Sequence, residues 1–364
     1  VNSSSVQFGL GGSIVDTSVT DGGTQEIDSG TATNIVISGG LAAQYVSGGA
    51  VTSTTVYDGL QEVDGGTVTS TVVSGAALQF VYGGSVADTT ILGGLQLISG
   101  GVAPSNVIST TAEQDVYGGT AIGNTLTDNS VQGIFSGGVA SATTLAGGAG
   151  QYVSSGGVAD GTAVSSGGTQ FLSGGTATNT TVSGGGIQSI YSGGVATATI
   201  IGSAGVEQVY AGGRASGTTV EGGGNVYVNR AGVAVGTIVS SGGAQSISSG
   251  GSASATIVFS SGTEYVNSGG LASGTTLSGG NEFVWTGGSA LATQVEAGAQ
   301  FLMGGSATSA TVFSGGAQYL ISGSVARAPT VSRGGNQYVS SGASTLRTVV
   351  SGGGETVLAG GAAL

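Results

Sequence analysis

Short segments along the whole chain alternate between apolar and polar side chains with a period of two. A typical segment opens on a glycine pair, carries Gln two positions after the pair and an aliphatic residue two positions after the Gln, as in residues 167–172. Such alternation is typical of a strand with one buried face. We therefore predict that the Gln and the aliphatic residue point inward and that the residue between them points outward.

The Gln slot recurs 20 times with a mean spacing of about 18 residues, which is the signature of a solenoid. Inward amides stacked one strand spacing apart would donate and accept along the stack, so we predict a structural role for them. The slot holds Gln7, Gln25, Gln44, Gln61, Gln79, Gln96, Gln114, Gln132, Gln151, Gln170, Gln188, Gln208, Val226, Gln245, Glu264, Glu282, Gln300, Gln318, Gln337 and Glu355.

The second half of each unit reads Gly-Gly-x-Ala-x-x-Thr-Thr-Val, as in residues 174–182. It predicts further strand, with the glycine pairs as corners where a Cβ is excluded. Helix is disfavoured by the Gly, Thr and Val content. The predicted fold is all-β: a single-stranded parallel β-helix (β-solenoid) of about 20 coils of about 18–19 residues, with two or three short strands per coil. We expect one continuous domain over residues 1–364, as part of a longer protein.

The charge and the residue types narrow the function. The chain has 18 acidic and 5 basic residues, a net charge of −13, and its first basic residue is Arg214. This disfavours nucleic-acid binding and docking on anionic membranes, and no apolar stretch predicts membrane insertion. The absence of Cys and His removes disulfides, Cys/His metal sites and imidazole bases. We expect no catalytic residue, no metal site of this kind and no cofactor.

Carboxylates recur at one place in the repeat. Glu26 and Asp28 occupy the same slots as Glu62 and Asp64 two coils further on, with Asp58 nearby. One interpretation is a solvated acidic face that keeps the protein soluble; another is a calcium site or a partner surface. The third is a carbohydrate-hydrolysing pair, since two coils span about 9.6 Å. Units of constant length leave no insertion to wall a catalytic cleft, so we predict that the chain is not an enzyme.

Aromatic residues fill the outward slot in five successive coils, with a Trp two residues beyond one of them. Rings at coil spacing would stack and stabilise the solenoid, and an apolar stripe also suits self-association or glycan binding. The residues of this stripe are Tyr265, Phe283, Trp285, Phe301, Tyr319 and Tyr338.

The repeated unit, as in residues 175–185 and 269–280, resembles the roughly 19-residue repeat of the self-associating autotransporter adhesins of the AIDA-I, TibA and antigen 43 type. The resemblance covers essentially the whole chain. It implies a right-handed parallel β-helix displayed at the surface of Gram-negative bacteria as a passenger of an outer-membrane barrel. It also implies autoaggregation, biofilm formation, adherence and a role in virulence, and a glycosyltransferase that modifies Ser or Thr in some members.

The main functional hypothesis is therefore an adhesin or stalk that associates side by side with identical copies, with a host-surface glycan or protein as a further partner. The alternative is a carbohydrate-binding or carbohydrate-hydrolysing β-helix that uses the carboxylate patch. The basic residues of the second half could pair with the acidic first half of another copy. An ice-binding Thr array is disfavoured, because only one Thr of an adjacent pair such as Thr54 and Thr55 can face outward.

Overall fold

Three short strands separated by tight corners make up each coil. The Gln slot lies on the first strand (Gln strand), the small Ala on the second (Ala strand) and the Thr-Val pair on the third (Thr strand). One coil shows the arrangement with Ala244–Ile247, Ser252–Ser254 and Ile257–Phe259. The sequence predicted either two or three strands per coil, and the structure has three.

The structure is a computed structural model that describes residues 1–2, 5–240 and 242–364. It contains two compact units, Val1–Thr178 (unit 1) and Asn179–Leu364 (unit 2). Each unit is a parallel β-solenoid, and the described residues contain no helix. The predicted fold class is confirmed; the single continuous domain stays a prediction.

In unit 1 the first coils have long strands that run through a corner, and the later coils have three separate strands. The strands of unit 1 are Val6–Val15, Ser18–Thr20, Thr24–Ser38, Ala43–Val46, Ala50–Tyr57, Leu60–Val63, Thr67–Thr69, Val72–Ser74, Leu78–Val81, Ser85–Ala87, Thr90–Leu92, Leu95–Ile98, Val102–Pro104, Val107–Ser109, Glu113–Val116, Thr120–Ile122, Thr125–Leu126, Val131–Ile134, Val139–Ser141, Thr144–Leu145, Gly150–Ser154, Val158–Asp160, Ala163–Val164, Thr169–Ser173 and Thr176–Thr178.

Unit 2 begins on a Thr strand and repeats the three strands in strict order. Its strands are Thr181–Val182, Ile187–Ile190, Val195–Thr197, Ile200–Ile201, Val206–Val209, Arg214–Ser216, Thr219–Val220, Asn225–Val228, Val233–Val235, Ile238–Val239, Ala244–Ile247, Ser252–Ser254, Ile257–Phe259, Thr263–Val266, Leu271–Ser273, Thr276–Ser278, Asn281–Trp285, Ser289–Leu291, Gln294–Val295, Ala299–Met303, Ser306–Thr308, Thr311–Val312, Ala317–Ile321, Val325–Arg327, Thr330–Ser332, Asn336–Val339, Ser344–Leu346, Val349–Ser351, Gly354–Val357 and Ala362–Ala363.

Equivalent strands of successive coils pair in parallel, so equal slots lie directly above one another. Gln114, for example, pairs with Gln132, which pairs with Gln151. From Gln25 to Gln337 the Gln slot is fully buried, and the aliphatic side chains from Ile27 to Val339 are 0–1% exposed. The alternation predicted from the sequence is confirmed, and the core of each unit is a set of stacked columns.

The corners require small residues or a left-handed backbone. At Gly66 φ is +74°, and an added Cβ would lie 2.6 Å from the carbonyl oxygen of Gly49 in the preceding coil. The corner between the Ala and Thr strands turns on one residue with positive φ, such as Asn34 (56°) or Ala255 (54°). A Cβ is thus excluded at the glycine pair and strained at the next corner.

The alignment of one coil from the sequence was wrong. The register pairs Gln188 with Glu207 and Val209 with Ile190, so Glu207 occupies the buried slot that was assigned to Gln208. Gln208 lies on the outer side and accepts a hydrogen bond from the hydroxyl of Tyr210. Burial of an aliphatic residue two positions later decides the register, and Val209 fits that position where Tyr210 does not.

Candidate functional site

A continuous column of amides runs through the interior of unit 1. Each Gln donates from Nε2 to Oε1 of the Gln in the preceding coil, from Gln25 on Gln7 to Gln170 on Gln151, at 2.5–2.8 Å. Donors from the Thr strand add a second bond to several of these oxygens, such as Asn124 Nδ2 to Gln114 at 2.9 Å. The column is sealed from solvent, so its role is structural, as predicted.

In unit 2 carboxyl groups replace amides in the same column. Glu207, Glu264 and Glu282 are fully buried, and Val226 removes one polar side chain altogether. Gln300 donates to Glu282 Oε2 at 2.6 Å, while Thr275 donates to Glu264 and Thr293 to Glu282. Both atoms of the Gln245 amide are without a partner. The column of unit 2 is therefore interrupted where that of unit 1 is complete.

Burial raises the pKa of each of these carboxyl groups. Desolvation brings the pKa of Glu207 to about 7 and, with the charge of Glu264, that of Glu282 to about 8; the pKa of Glu264 is also raised by burial. A neutral carboxyl group has a donating O–H at one oxygen and an accepting carbonyl at the other, so it can both donate and accept along the column as an amide does. This explains why the Gln slot accepts Glu.

The aromatic stripe predicted from the sequence forms one continuous stack. The ring centroids of Tyr265 and Phe283 lie 5.7 Å apart, and the next three pairs, through Phe301 and Tyr319 to Tyr338, are 4.9–5.0 Å apart with planes 8–10° from parallel. Such stacking contributes about 0.5–1.5 kcal/mol per pair. The rings stabilise the coils and leave their edges half-exposed.

A second apolar column lies beside these rings. Trp285 is on the outer side with Phe283, as predicted, and is aligned with Met303 and Ile321 in the next two coils. Trp285 is 41% and Ile321 is 37% exposed. We call the five stacked rings and this column the aromatic face.

The acidic patch is only partly assembled. Glu26 and Glu62 belong to one column with Tyr45 between them, in the predicted two-coil spacing. Asp28 accepts a hydrogen bond from Ser47 at 2.6 Å, and burial and the charge of Asp64 raise the pKa of Glu62.

Asp58 lies apart from this column. It occupies the corner before the Gln strand, has a φ of 52°, and accepts a hydrogen bond from the backbone of Ala76 at 2.7 Å. In the part of the chain that the structure describes, no three acidic side chains form a group that could hold a metal ion. A calcium or partner role for the patch stays a prediction.

Two cavities lie in unit 2, and neither contains a residue of the predicted aromatic stripe or acidic patch. Arg230, Arg327 and Arg347, which line them, are among the basic residues that the sequence suggested for pairing with another copy. The larger, of about 750 Å³, follows the corner after the Gln strand over four coils; its lining includes Tyr191, Ser192, Tyr210, Asn229, Arg230 and Ser249. The smaller, of about 370 Å³, includes Arg327 and Arg347. The rings at the larger cavity were missed although they share a slot, three residues after Gln188 and Glu207.

Paired Thr residues divide between the interior and the surface. Thr54, Thr89 and Thr218 are 0–1% exposed, whereas the residues that follow them point outward. This confirms that only one Thr of each pair faces solvent. The outward hydroxyl groups form a broken column on the Thr strands, which does not produce a flat array.

Comparison with known proteins identifies relatives of this chain. The family described as adhesin of bacterial autotransporter system, probable stalk (AIDA), matches residues 224–281. A crystal structure of a TibA fragment, hyper-glycosylated by TibC, is 36% identical, with a TM-score of 0.61 over 72% of this chain and 96% of that chain. Periplasmic alginate epimerase AlgG, as a double mutant, shares 8% identity over 90% of this chain and 79% of that one, and its TM-score of 0.16 carries no inference. A search of curated protein sequences found no match.

The repeat, the parallel coils and the buried amide column define a β-solenoid protein. Its 36% sequence identity to TibA holds over an alignment that covers 96% of the TibA fragment. The chain belongs to the AIDA/TibA-type family of autotransporter adhesin passenger domains. Among the residues described, there is no helix with the length and apolar character of a membrane span.

Proposed function

We propose that this adhesin passenger acts at the cell surface through homotypic contact from cell to cell, with the aromatic face of unit 2 as its contact surface. The observation that carries the proposal is the unbroken stack from Tyr265 to Tyr338 with Trp285 exposed beside it. Autoaggregation, biofilm formation and adherence are the cellular consequences that we expect.

The charge distribution allows a second copy to bind at the aromatic face. Two chains that each have a net charge of −13 repel one another, so they can associate only at a surface without exposed like charges. The Gln strands of the aromatic face, from Thr263–Val266 to Asn336–Val339, carry charged residue types only at Glu264 and Glu282, and both point inward. Two copies can therefore meet here without placing like charges together, and repeated weak contacts along the coils add up.

The outward hydroxyl groups support glycosylation as a second property. Thr144, Thr181, Thr219, Thr276 and Thr311 follow buried or inward residues and point outward on the Thr strands. The TibA fragment is glycosylated by TibC. A glycosyltransferase of this kind would be a partner of the chain; its modification is tested by co-expression with TibC and site mapping by mass spectrometry. Sugar on buried Thr180 or Thr218, or no mass gain, would contradict this assignment.

A non-enzymatic role fits the carboxylates. Glu26 and Glu62 are separated by the exposed ring of Tyr45, and neither lines the two cavities described above. A hydrolase needs its two carboxyl groups on either side of a substrate within a cleft. We propose no catalytic step for this chain.

Sedimentation velocity over a wide concentration range tests the association. The double variant Phe283→Ser/Trp285→Ser should lose the concentration-dependent growth that we expect of the unmodified chain. Phe259→Ser/Phe313→Ser is the matched control, because these exposed rings of unit 2 lie at the ends of Thr strands, outside the stack: Phe259 is the last residue of one and Phe313 directly follows another.

The ionic strength of the same experiment separates two modes of contact. Association through the aromatic face should persist at high salt, whereas pairing of Arg-bearing and acidic halves should weaken. A strictly monomeric chain at every concentration, or equal loss in the control variant, would rule out the proposed face.

A further inference from the structure

The larger cavity of unit 2 is lined by aromatic, amide and guanidinium side chains that belong neither to the aromatic face nor to the acidic patch. Tyr191 and Tyr210 stack with centroids 5.0 Å apart and planes 7° from parallel, at the corner that precedes the Ala strand. In the next two coils the same corner supplies Asn229, Arg230 and Ser249. We call these five residues the tyrosine–arginine groove. Its volume of about 750 Å³ lies within the range of small-molecule sites, about 300–1,000 Å³.

Two of these side chains are held in place by neighbours. The hydroxyl of Tyr210 donates to Oε1 of Gln208 at 2.6 Å, which fixes the ring. Oδ1 of Asn229 accepts from the hydroxyl of Ser248 at 2.6 Å, so the Nδ2 group is the donor end of that amide. The groove thus presents a fixed aromatic surface beside an amide donor and a guanidinium group.

The backbone of the groove adopts an unusual conformation for its residues. Arg230 and Ala231 have φ values of 50° and 62°, where the equivalent corners of neighbouring coils use Gly212 and Gly250 at the position of Ala231. Positive φ at a non-glycine corner residue recurs along this chain, as at Ser249 (54°), and here it sets the direction in which the Arg230 side chain leaves the backbone. The strained corner is the one that places the guanidinium group at the groove.

The electrostatic surroundings favour an anion despite the acidity of the whole chain. Between residues 191 and 249 the acidic residues are Glu207 and Glu221, and the basic residues are Arg214 and Arg230. Glu207 is fully buried, whereas both Arg side chains are exposed. This part of the surface therefore carries more positive than negative charge. A planar guanidinium group binds a carboxylate through two parallel hydrogen bonds.

We propose that the tyrosine–arginine groove binds a carboxylate-bearing sugar residue, a sialic or uronic acid, within a larger glycan. The apolar face of the sugar ring packs on Tyr191 and Tyr210, the carboxylate binds Arg230, and hydroxyl groups bind Asn229 and Ser249. The ligand class deepens the adhesin function proposed above and rests on it for the biological setting. The site itself is separate from the aromatic face and requires no self-association.

Binding is measured by NMR titration of the full chain with the methyl glycosides of N-acetylneuraminic acid and glucuronic acid. The methyl ester of each sugar is the matched neutral ligand. We expect a dissociation constant of about 1 mM or lower for at least one acid and at least about tenfold weaker binding of its ester. Which of the two acids binds distinguishes a sialylated glycan from a uronic-acid polysaccharide.

Two variants and two controls locate the site. Arg230→Gln should weaken binding of the acid about tenfold and abolish the preference over the ester, and Tyr210→Leu should weaken both ligands. Arg333→Gln removes an exposed charge, and Phe259→Leu an exposed ring, from unit 2 outside the groove; neither should change binding.

Several outcomes would overturn the proposal. Equal affinity for acid and ester, unchanged binding by Arg230→Gln, or no binding at about 20 mM sugar would each do so. Sedimentation of Arg230→Gln should equal that of the unmodified chain, and Phe283→Ser/Trp285→Ser should bind the sugar normally. These two measurements separate a failure of this site from a failure of the self-association.

Discussion

The two units have the same three-stranded coil but differ in what fills its columns. In unit 1 amides occupy the interior column from Gln7 to Gln170 without interruption. In unit 2 the column contains Glu207, Val226, Glu264 and Glu282. The coil therefore tolerates an acid, an amide or an aliphatic residue in its interior, and burial there raises the pKa of the acid.

The outer surfaces differ just as clearly. In unit 1 the outward slot after the Gln alternates between acids such as Glu26 and Glu62 and rings such as Tyr45, and one pair of rings, Tyr152 and Phe171, stacks. In unit 2 the same slot holds five rings that stack in successive coils. Neither set changes the pairing register, because outward side chains do not contribute to the core. The difference is in continuity: the rings of unit 2 form an unbroken stripe, whereas acidic side chains interrupt those of unit 1.

The largest effect is expected from breaking the amide column of unit 1. Gln132 donates to Gln114 at 2.6 Å and accepts from Gln151 at 2.7 Å. Gln132→Met removes both hydrogen bonds and leaves the buried Gln151 amide without its acceptor, so we expect a loss of about 4 kcal/mol of local stability. Hydrogen exchange of the coils around residue 132 measures it, since repeat arrays open locally.

Gln245→Met in unit 2 is the matched substitution for this test. Both amide atoms of Gln245 lack a partner, so replacing them with an apolar group should leave stability unchanged or raise it by about 1–2 kcal/mol. Equal destabilisation by the two substitutions would show that the units do not differ in the way described.

The next largest effect is the pH dependence of stability, which should differ between coils with a buried Glu and coils with a buried Gln. Burial raises the pKa of Glu207 from 4.5 to about 7, so between these values the folded chain binds more protons than the unfolded chain. Its stabilising contribution is complete below pH 4.5 and is lost as the pH rises through about 7. Glu207→Gln should remove this loss and gain on the order of 3 kcal/mol at alkaline pH.

Hydrogen exchange at pH values on both sides of neutrality, corrected for its intrinsic rate, measures this effect. Glu221→Gln, which removes an exposed carboxylate at the next corner, is the control and should change stability by less than about 0.5 kcal/mol. Glu264 and Glu282 act in the same direction, so the coils of unit 2 should loosen as the pH rises. Those of unit 1 should loosen less, because their interior column consists of amides and the main contribution there is that of Asp115, whose pKa burial raises to about 6. Matching pH profiles in both units would contradict the raised pKa values.

Most of the fold could be predicted from the sequence because strand alternation and burial repeat in every coil. The error at Gln208 arose where two adjacent polar residues, Glu207 and Gln208, competed for one slot, and only the packing of Val209 decides between them. The number of strands was open, because the corner between Ala and Thr strands turns on a single residue such as Ala255.

The aromatic stack was predictable and the groove was not. Tyr265 and the rings above it occupy one slot in successive coils, so their stacking follows from the register. The groove depends on how a corner bends, and Arg230 reaches it only through a backbone conformation that alternation does not encode. A comparison of the slot three residues after the Gln would have revealed Tyr191 and Tyr210, but not the cavity beside them.

The smallest change in stability is expected at the corner between the Ala and Thr strands, where the two units use different residue types. Positive φ is adopted there by Ala142 in unit 1 but by four Ala residues in unit 2, namely Ala198, Ala255, Ala292 and Ala328. Because Gly236 and Gly274 occupy this corner in the adjacent coils, Ala255→Gly should relieve strain of about 1–2 kcal/mol. The greater entropy of Gly in the unfolded chain offsets about 0.4–1 kcal/mol of this. We expect the local free energy of unfolding, measured by hydrogen exchange, to rise by about 0.5 kcal/mol. Ala244→Gly, on a Gln strand with ordinary φ, should lower it by about as much. Destabilisation by Ala255→Gly would mean that the alanine corners of unit 2 are not strained.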